Sequence, residues 1–188
     1  MKKLLLLALL GLLAVPVFAE KIDLGGGKAL LLTLPATWTN PGPVEPPPGV
    51  PARGVNARYV TKNGSNDAVL ITIITVPDDR LSDRDILKEL VAQSTEQFVP
   101  GSVEGKADLK EFKIGGATGF CATFTDSNLV GKPSVKDDYK AMTSCFVYLG
   151  GQVMLTATVF TDDLNSPAYA EGLRLLRSIA LQQPKNTL

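Results

Sequence analysis

The chain has 188 residues, with 19 Lys+Arg against 19 Asp+Glu and no histidine. That balance excludes the basic footprint of a nucleic-acid binder and the polybasic patch of a protein held on anionic membranes. The missing histidine removes the usual general base at neutral pH, the commonest metal ligand and every Ser-His or Cys-His nucleophile pair.

Lys2 and Lys3 precede an apolar run from Leu4 to Val17, and Val17–Phe18–Ala19 ends on the small residue that signal peptidase needs. Residues 1–19 therefore read as a secretory signal peptide, cleaved before Glu20. A bilayer span takes about 20 apolar residues, whereas this run is shorter and contains Pro16. No cysteine follows the cleavage site to carry a lipid. Cleavage leaves 17 basic against 19 acidic residues, a net charge of −2. Residues 20–188 are expected to form one exported domain, periplasmic or secreted, without a transmembrane anchor.

In that domain Gly25–Gly26–Gly27 reads as a flexible entry, and Lys28 to Leu34 as a first strand. Pro35–Ala36–Thr37–Trp38 closes the strand. A proline-dense loop follows over residues 40–55, which favours polyproline II and cannot join a sheet ladder. It reads as an extended surface loop, with a docking motif for an aromatic groove as the functional alternative. Trp38, the single tryptophan, is expected to anchor the core.

Ala57 to Thr61 and Ala68 to Val76 form a hairpin across Asn63–Gly64–Ser65–Asn66. The second strand is apolar almost throughout, which predicts a central strand buried on both faces. A helix follows, with Ser82 as N-cap and Ile86, Leu87, Leu90, Val91 and Phe98 on one stripe. Pro100–Gly101 ends it. A second helix starts at Ser166–Pro167 and buries Tyr169, Leu173, Leu176 and Ile179 or Ala180.

Between the helices lie four β-rich runs, from Leu109, Thr118, Ala141 and Gln152. Gly150–Gly151 suits the centre of a two-residue turn, which pairs Leu149 with Gln152, Phe146 with Leu155 and Ser144 with Ala157. Cys121 opposite Cys145 pairs Phe120 with Phe146 and Phe124 with Met142. Because side chains alternate, these expectations give one apolar face. The other face carries Thr123, Thr125, Thr143, Thr156, Thr158 and both cysteines. A three-residue turn at Gly115–Gly116 would place Phe112 opposite Phe120. Facing cysteines on neighbouring antiparallel strands lie about 4.5–5.5 Å apart at Cα, within disulfide reach, so an exported chain should form a Cys121–Cys145 disulfide.

The same topology gathers Asp126, Asp137, Asp138, Asp162 and Asp163 at one rim of the sheet. Clustered carboxylates suit a hard cation such as Ca²⁺. Lys132, Lys136 and Lys140 in the same loop oppose that, and the spacing is not an EF-hand pattern. The solvated loop is the plainer reading. No metal ligand set, cofactor fingerprint, phosphate loop or nucleophile elbow appears, and no enzyme activity is expected.

Strand, proline loop, hairpin, capped helix, four-stranded meander and closing helix make an α+β domain: an antiparallel sheet of six to seven strands packed with two main helices. That order resembles the PsbP/DcrB-like superfamily of αβα sandwiches. The resemblance is carried by Leu34–Pro35–Ala36–Thr37–Trp38, the paired strands before the helix at Ser82, the meander from Gly116 to Phe160 and the helix near Leu173. It implies a non-enzymatic adaptor or assembly role. Together with export, this gives the reading of an exported binding or assembly protein of the bacterial envelope that recognises another envelope protein, with the cysteine-bearing threonine face and the proline loop as its candidate surfaces. The alternative is a small-ligand or cation-binding domain using the acidic rim.

Overall fold

The computed structural model describes residues 18–42, 54–77 and 79–184. Most of the expected signal peptide and of the proline-dense loop lie outside them. The fold is two sheets and two helices. A seven-stranded antiparallel sheet has the order β3(Trp38–Thr39), β4(Val55–Thr61), β5(Ala68–Thr75), β9(Val153–Thr161), β8(Ala141–Gly150), β7(Ala117–Thr125), β6(Lys110–Ile114). A three-stranded sheet has the order β1(Phe18–Gly25), β2(Lys28–Leu34), β10(Ala180–Gln182). Helix α2(Pro167–Arg177) and the small sheet cover one face of the large sheet, and α1(Arg84–Thr95) lies on the other over β7 and β8.

The first strand of the domain is β1, not Lys28 to Leu34. Ile22 and Leu24 alternate with Lys21 and Asp23, and Ile22 pairs with Leu30. The three glycines form the turn back into β2, all at positive φ, a region open to glycine at little cost. Phe18 and Ala19, on the leader side of the expected cleavage, pair with Leu34 and Thr33. Glu20 turns inward and accepts hydrogen bonds from Asn40 Nδ2 (2.7 Å) and the Tyr59 hydroxyl (3.2 Å).

α2 starts where its sequence predicts, and of the expected buried residues Leu176 and Ile179 are buried while Tyr169 and Leu173 are half-buried and Ala180 is exposed. Ser166 Oγ accepts from Tyr169 N (3.0 Å), Pro167 opens the first turn, and Leu175 and Leu176 are buried. Gly172 lets the helix sit close on the sheet, since a Cβ there would stand 2.9 Å from Val159 Cγ1. α1 starts one residue later than expected. Ser82 Oγ closes the preceding 3-10 turn on Asp79 O, and Asp83 caps instead, accepting from Asp85 N (2.9 Å) and Ile86 N (3.3 Å). Leu87, Val91 and Thr95 face the sheet, while Ile86 is 40% exposed.

Two registers differ from expectation by one residue, and each slip exchanges faces. The β7–β8 pairing is as read, with Cys121 opposite Cys145 and Phe120 opposite Phe146. At the next hairpin the turn residues are Gly151 and Gln152, both left-handed, and Gly150 pairs with Val153 across a bulge. Cys145 therefore faces Ala157, and Phe146 faces Thr156. Likewise Gly115–Gly116 is a two-residue turn that sets Phe112 against Gly119, on the cysteine side. Leucine and valine thus join the cysteines, and Thr156 and Thr158 go to the other face.

The cysteine side is the main core. Val69, Ile71, Leu155, Val159, Leu175 and Leu176 meet there, with Trp38, Tyr59 and Leu30, all at 1% exposure or less. β5 is central, as predicted, but fully buried along one face only: Val69, Ile71 and Ile73 are buried, while on the other face Ala68 is buried and Leu70, Thr72 and Ile74 are half-buried. Trp38 Nε1 donates to Glu171 Oε2 (3.1 Å), which satisfies the one polar atom of the ring.

Candidate functional site

The Cys121–Cys145 disulfide is present, and it is a core element rather than a surface. Cys145 is fully buried and Cys121 nearly so. Beside it a hydroxyl chain runs from Tyr169 Oη on α2 to Thr143 Oγ1 (2.6 Å) and on to Thr123 Oγ1 (2.8 Å). The expected cysteine-bearing binding face is thereby corrected: α2 covers it. Among the described residues, what stays open lies on the other side of the sheet.

There, β4, β5 and β9 carry Val60, Leu70, Thr72, Ile74, Thr156 and Thr158, all half-buried. α1 spends its apolar stripe on Phe120 and Tyr148, with Phe146 beside them. Register places Phe124, Met142 and Phe160 in one cross-strand row near the strand ends. Two aromatic rings stand over that row. Phe98, in the 3-10 turn Glu96–Gly101 after α1, packs on Phe124 at 5.6 Å between centroids, and Tyr139 packs on Phe160 at 4.9 Å. Between these pairs lies a cleft of about 430 Å³. Its size is that of a small-ligand or side-chain pocket.

The loop 126–140 walls the cleft, and its shape is fixed by residues distant in sequence. Asn66, in the β4–β5 turn, donates through Nδ2 to Val135 O (3.0 Å), Asp138 O and the Asp162 carboxylate (both 3.2 Å), and its Oδ1 accepts from Asp137 N (3.0 Å). Arg58 on β4 donates to Asp137 Oδ1 (2.7 Å) and to the Tyr139 hydroxyl (3.0 Å). The guanidinium bond holds the Asp137 carboxyl below the usual carboxylate range and raises Arg58 in turn. Burial, rather than that bond, pushes the Tyr139 phenol up. Neither Asn66, Arg58 nor Tyr139 was marked by the sequence, because their partners lie some 70 to 80 positions away.

The five acids of the rim do gather in this region, around two basins. Asp126, Asp137 and Asp138 line the aromatic cleft, and Asp137, Asp162 and Asp163 line a polar basin of about 780 Å³ on the far side of the loop. Most are engaged locally: Asp126 Oδ1 accepts from Asn128 N (2.8 Å), Asp163 Oδ1 from Asn165 N (2.8 Å), and Asp162 Oδ1 from Lys140 N (3.2 Å). Among the described residues no three acidic or cysteine side chains are placed to hold a metal ion. Asp67, beneath the basin, is buried against Thr161 Oγ1 (2.7 Å) and Ser65 Oγ (2.8 Å) and serves to tie two strand ends together.

An αβα sandwich with an antiparallel sheet of this order defines a class, the PsbP/DcrB-like fold. The solution structure of cyanobacterial PsbP (CyanoP) from Synechocystis sp. PCC 6803 superposes with a TM-score of 0.53 over 92% of this chain and 96% of that one, at 12% identity. Two further structures are similar at lower scores. The Ran-binding protein Mog1p of Saccharomyces cerevisiae matches at 0.44, with 15% identity over 87% of this chain and 95% of that one. A protein from Bacteroides thetaiotaomicron matches at 0.49 with 10% identity over 82% of this chain, and the chain spans only 45% of that protein's length. No family model and no curated protein matches the sequence.

Proposed function

We propose that the chain is an exported, non-catalytic binding or assembly protein of the bacterial envelope that recognises another envelope protein. One observation carries the binding half of this reading: among the described residues, the large sheet is buried along most of one side and covered only in part on the other. On the partly covered side, the strands present threonine and aliphatic side chains next to an aromatic cleft. A face meant only for water would carry charges, and a face buried within the monomer would be aliphatic throughout. Threonine mixed with leucine, isoleucine and phenylalanine suits intermittent cover by a partner.

Export is supported by the leader over residues 1–19 and by the disulfide, a bond that persists in oxidising compartments. No helix among the described residues is long and apolar enough to cross a membrane. The non-catalytic reading is supported by the missing histidine and by the shifted groups themselves. Arg58, Tyr59, Glu104, Asp137 and Tyr139 each owe their shift to burial or to hydrogen bonds within the fold.

The test is a crosslinked capture from the native envelope using the tagged mature protein and a Thr72→Arg variant. A dominant envelope protein recovered by the wild type and lost by the variant is the expected result. Equal recovery by both would remove the open face from the reading. Mass spectrometry of the full-length precursor, tagged at its C-terminus and expressed in its own cells, should find Glu20 as the first residue. A chain still starting at Met1 would overturn export by cleavage.

A further inference from the structure

Phe112 and Phe120 are each capped by a guanidinium of this chain: Arg177 lies 4.7 Å from the Phe112 centroid and Arg84 lies 5.6 Å from that of Phe120. Phe98, Phe124, Tyr139 and Phe160 have no such cap among the described residues, and these four line one cleft with Met142. The charged lining is mostly acidic: Asp126, Asp137 and Asp138 against Lys140, among neutral Gln97, Ser102, Thr125 and Asn128. Asp137 is neutralised by Arg58, which leaves Asp126 and Asp138 without an ion pair among the described residues. Arg58 shows what the wall accepts, since its guanidinium bonds a carboxylate and a tyrosine hydroxyl together. Aromatic faces attract cations through their quadrupoles, arginine most often, and a planar guanidinium both stacks on rings and bonds carboxylates. Lysine, a compact and strongly hydrated charge, is served less well by rings that are half-buried or, at Phe124, buried.

Resting on the protein-binding reading above, we propose that the Phe98–Phe124–Tyr139–Phe160 cleft receives an arginine side chain of the partner protein. The aliphatic stem lies on Met142 and the guanidinium sits between the ring pairs, toward Asp126 and Asp138. The partner's adjoining residues then run onto the threonine-bearing face of β9 and β5.

Amide NMR of the isotopically labelled mature protein tests this with three probes: an acetylated, amidated pentapeptide with one central arginine between valines, the same peptide with citrulline, and methylguanidinium. The expected result is saturable shifts at Phe98, Phe124, Tyr139, Met142 and Phe160 with the arginine peptide, and binding weaker by about tenfold or more with citrulline, which keeps the shape and loses the charge. Methylguanidinium should bind more weakly than the peptide. Asp138→Asn, a change at an exposed side chain, should weaken the peptide about threefold with an unchanged melting temperature; Phe160→Leu should weaken it further. Equal binding of citrulline, or shifts outside the cleft, would overturn the proposal. Methylguanidinium matching the peptide would overturn it in favour of a free organic cation. Envelope capture that depends on Thr72 but not on Asp138 or Phe160 would leave the protein-binding reading standing and remove the cleft from it.

Discussion

On one side of the seven-stranded sheet, α2 and the β1–β2–β10 sheet bury Val69, Ile71, Leu155, Val159 and the disulfide to near-zero exposure. On the other side the same strands hold Leu70, Thr72, Thr156 and Thr158 half-exposed, and among the described residues α1 protects only the β7–β8 end. Alternate residues of β5 and β9 thus live under different rules. The covered set is selected for volume and fit, where a lost methylene opens a cavity. The open set is selected for a surface that tolerates both water and contact. The disulfide belongs to the first set, so it serves stability, whereas the proposed partner would meet the second.

The difference should be largest for truncations. Leu176→Ala, on the fully buried α2 stripe, should cost about 2–5 kcal/mol, read as a shift of the urea midpoint at constant slope. Ile74→Ala, half-buried on the open face, should cost about 1 kcal/mol or less, because a partly exposed side chain has less transfer energy to lose. Similar costs at both sites would mean that the open face is packed as tightly as the core, and the comparison would fail. Replacing both cysteines by alanine removes a closure between positions 24 apart and should cost about 3 kcal/mol by the loop-entropy account. Because the bond lies beneath α2, reductant should attack it slowly in the folded protein and quickly in urea.

This asymmetry was only partly legible in the sequence. Alternation in β7 and β8 and the two cysteines fixed their mutual register, and Ser166–Pro167 placed α2. The faces went wrong at two turns for a local reason. Gly150, Gly151 and Gln152 are consecutive left-handed residues, so the glycine pair alone does not say which two sit at the tip. The bulge moves the answer by one residue and so exchanges the sides. β1 was hidden by its position against the expected signal peptide, although Ile22 and Leu24 alternate as a strand should. The candidate site was legible as a place, the acidic rim, but not as chemistry. Its wall depends on Asn66 and Arg58 reaching over to the loop 126–140, and such long-range hydrogen bonds leave no spacing to read.

Two tyrosines give a finer contrast. Tyr59, fully buried on the covered side, has its phenol pushed far above its ordinary value near 10, first by burial and then by the Glu20 carboxylate. Tyr139, half-buried on the open side, is raised chiefly by burial as well, with Arg58 pulling it back. A raised folded-state value means that the native state holds its proton longer than the unfolded chain. The stabilisation is therefore complete below about pH 10 and is lost as pH climbs past it. Thermal melts of the wild type should fall steeply above that pH. Tyr59→Phe should flatten the decline after lowering the neutral-pH melting temperature slightly, through its lost bond to Glu20. Tyr139→Phe should flatten it less. A larger alkaline effect at Tyr139 would reverse the assignment of the two faces.

The smallest expected effect on stability is at Thr72. Its side chain lies half-buried on the open face opposite Thr156 of β9 and Asn56 of β4. Arginine there can run its stem along the sheet and keep its charge in water, so Thr72→Arg should move the unfolding free energy by no more than about 0.5 kcal/mol. A partner seated on the face would meet that side chain directly, and a stranded charge at a contact centre is costly. Unchanged melting with lost partner capture would separate stability from recognition at a single position. If Thr72→Arg instead unfolds the protein, the β5 face is part of the monomer's own core, and the partner surface must be sought on the polar basin around Asn66 and Asp162.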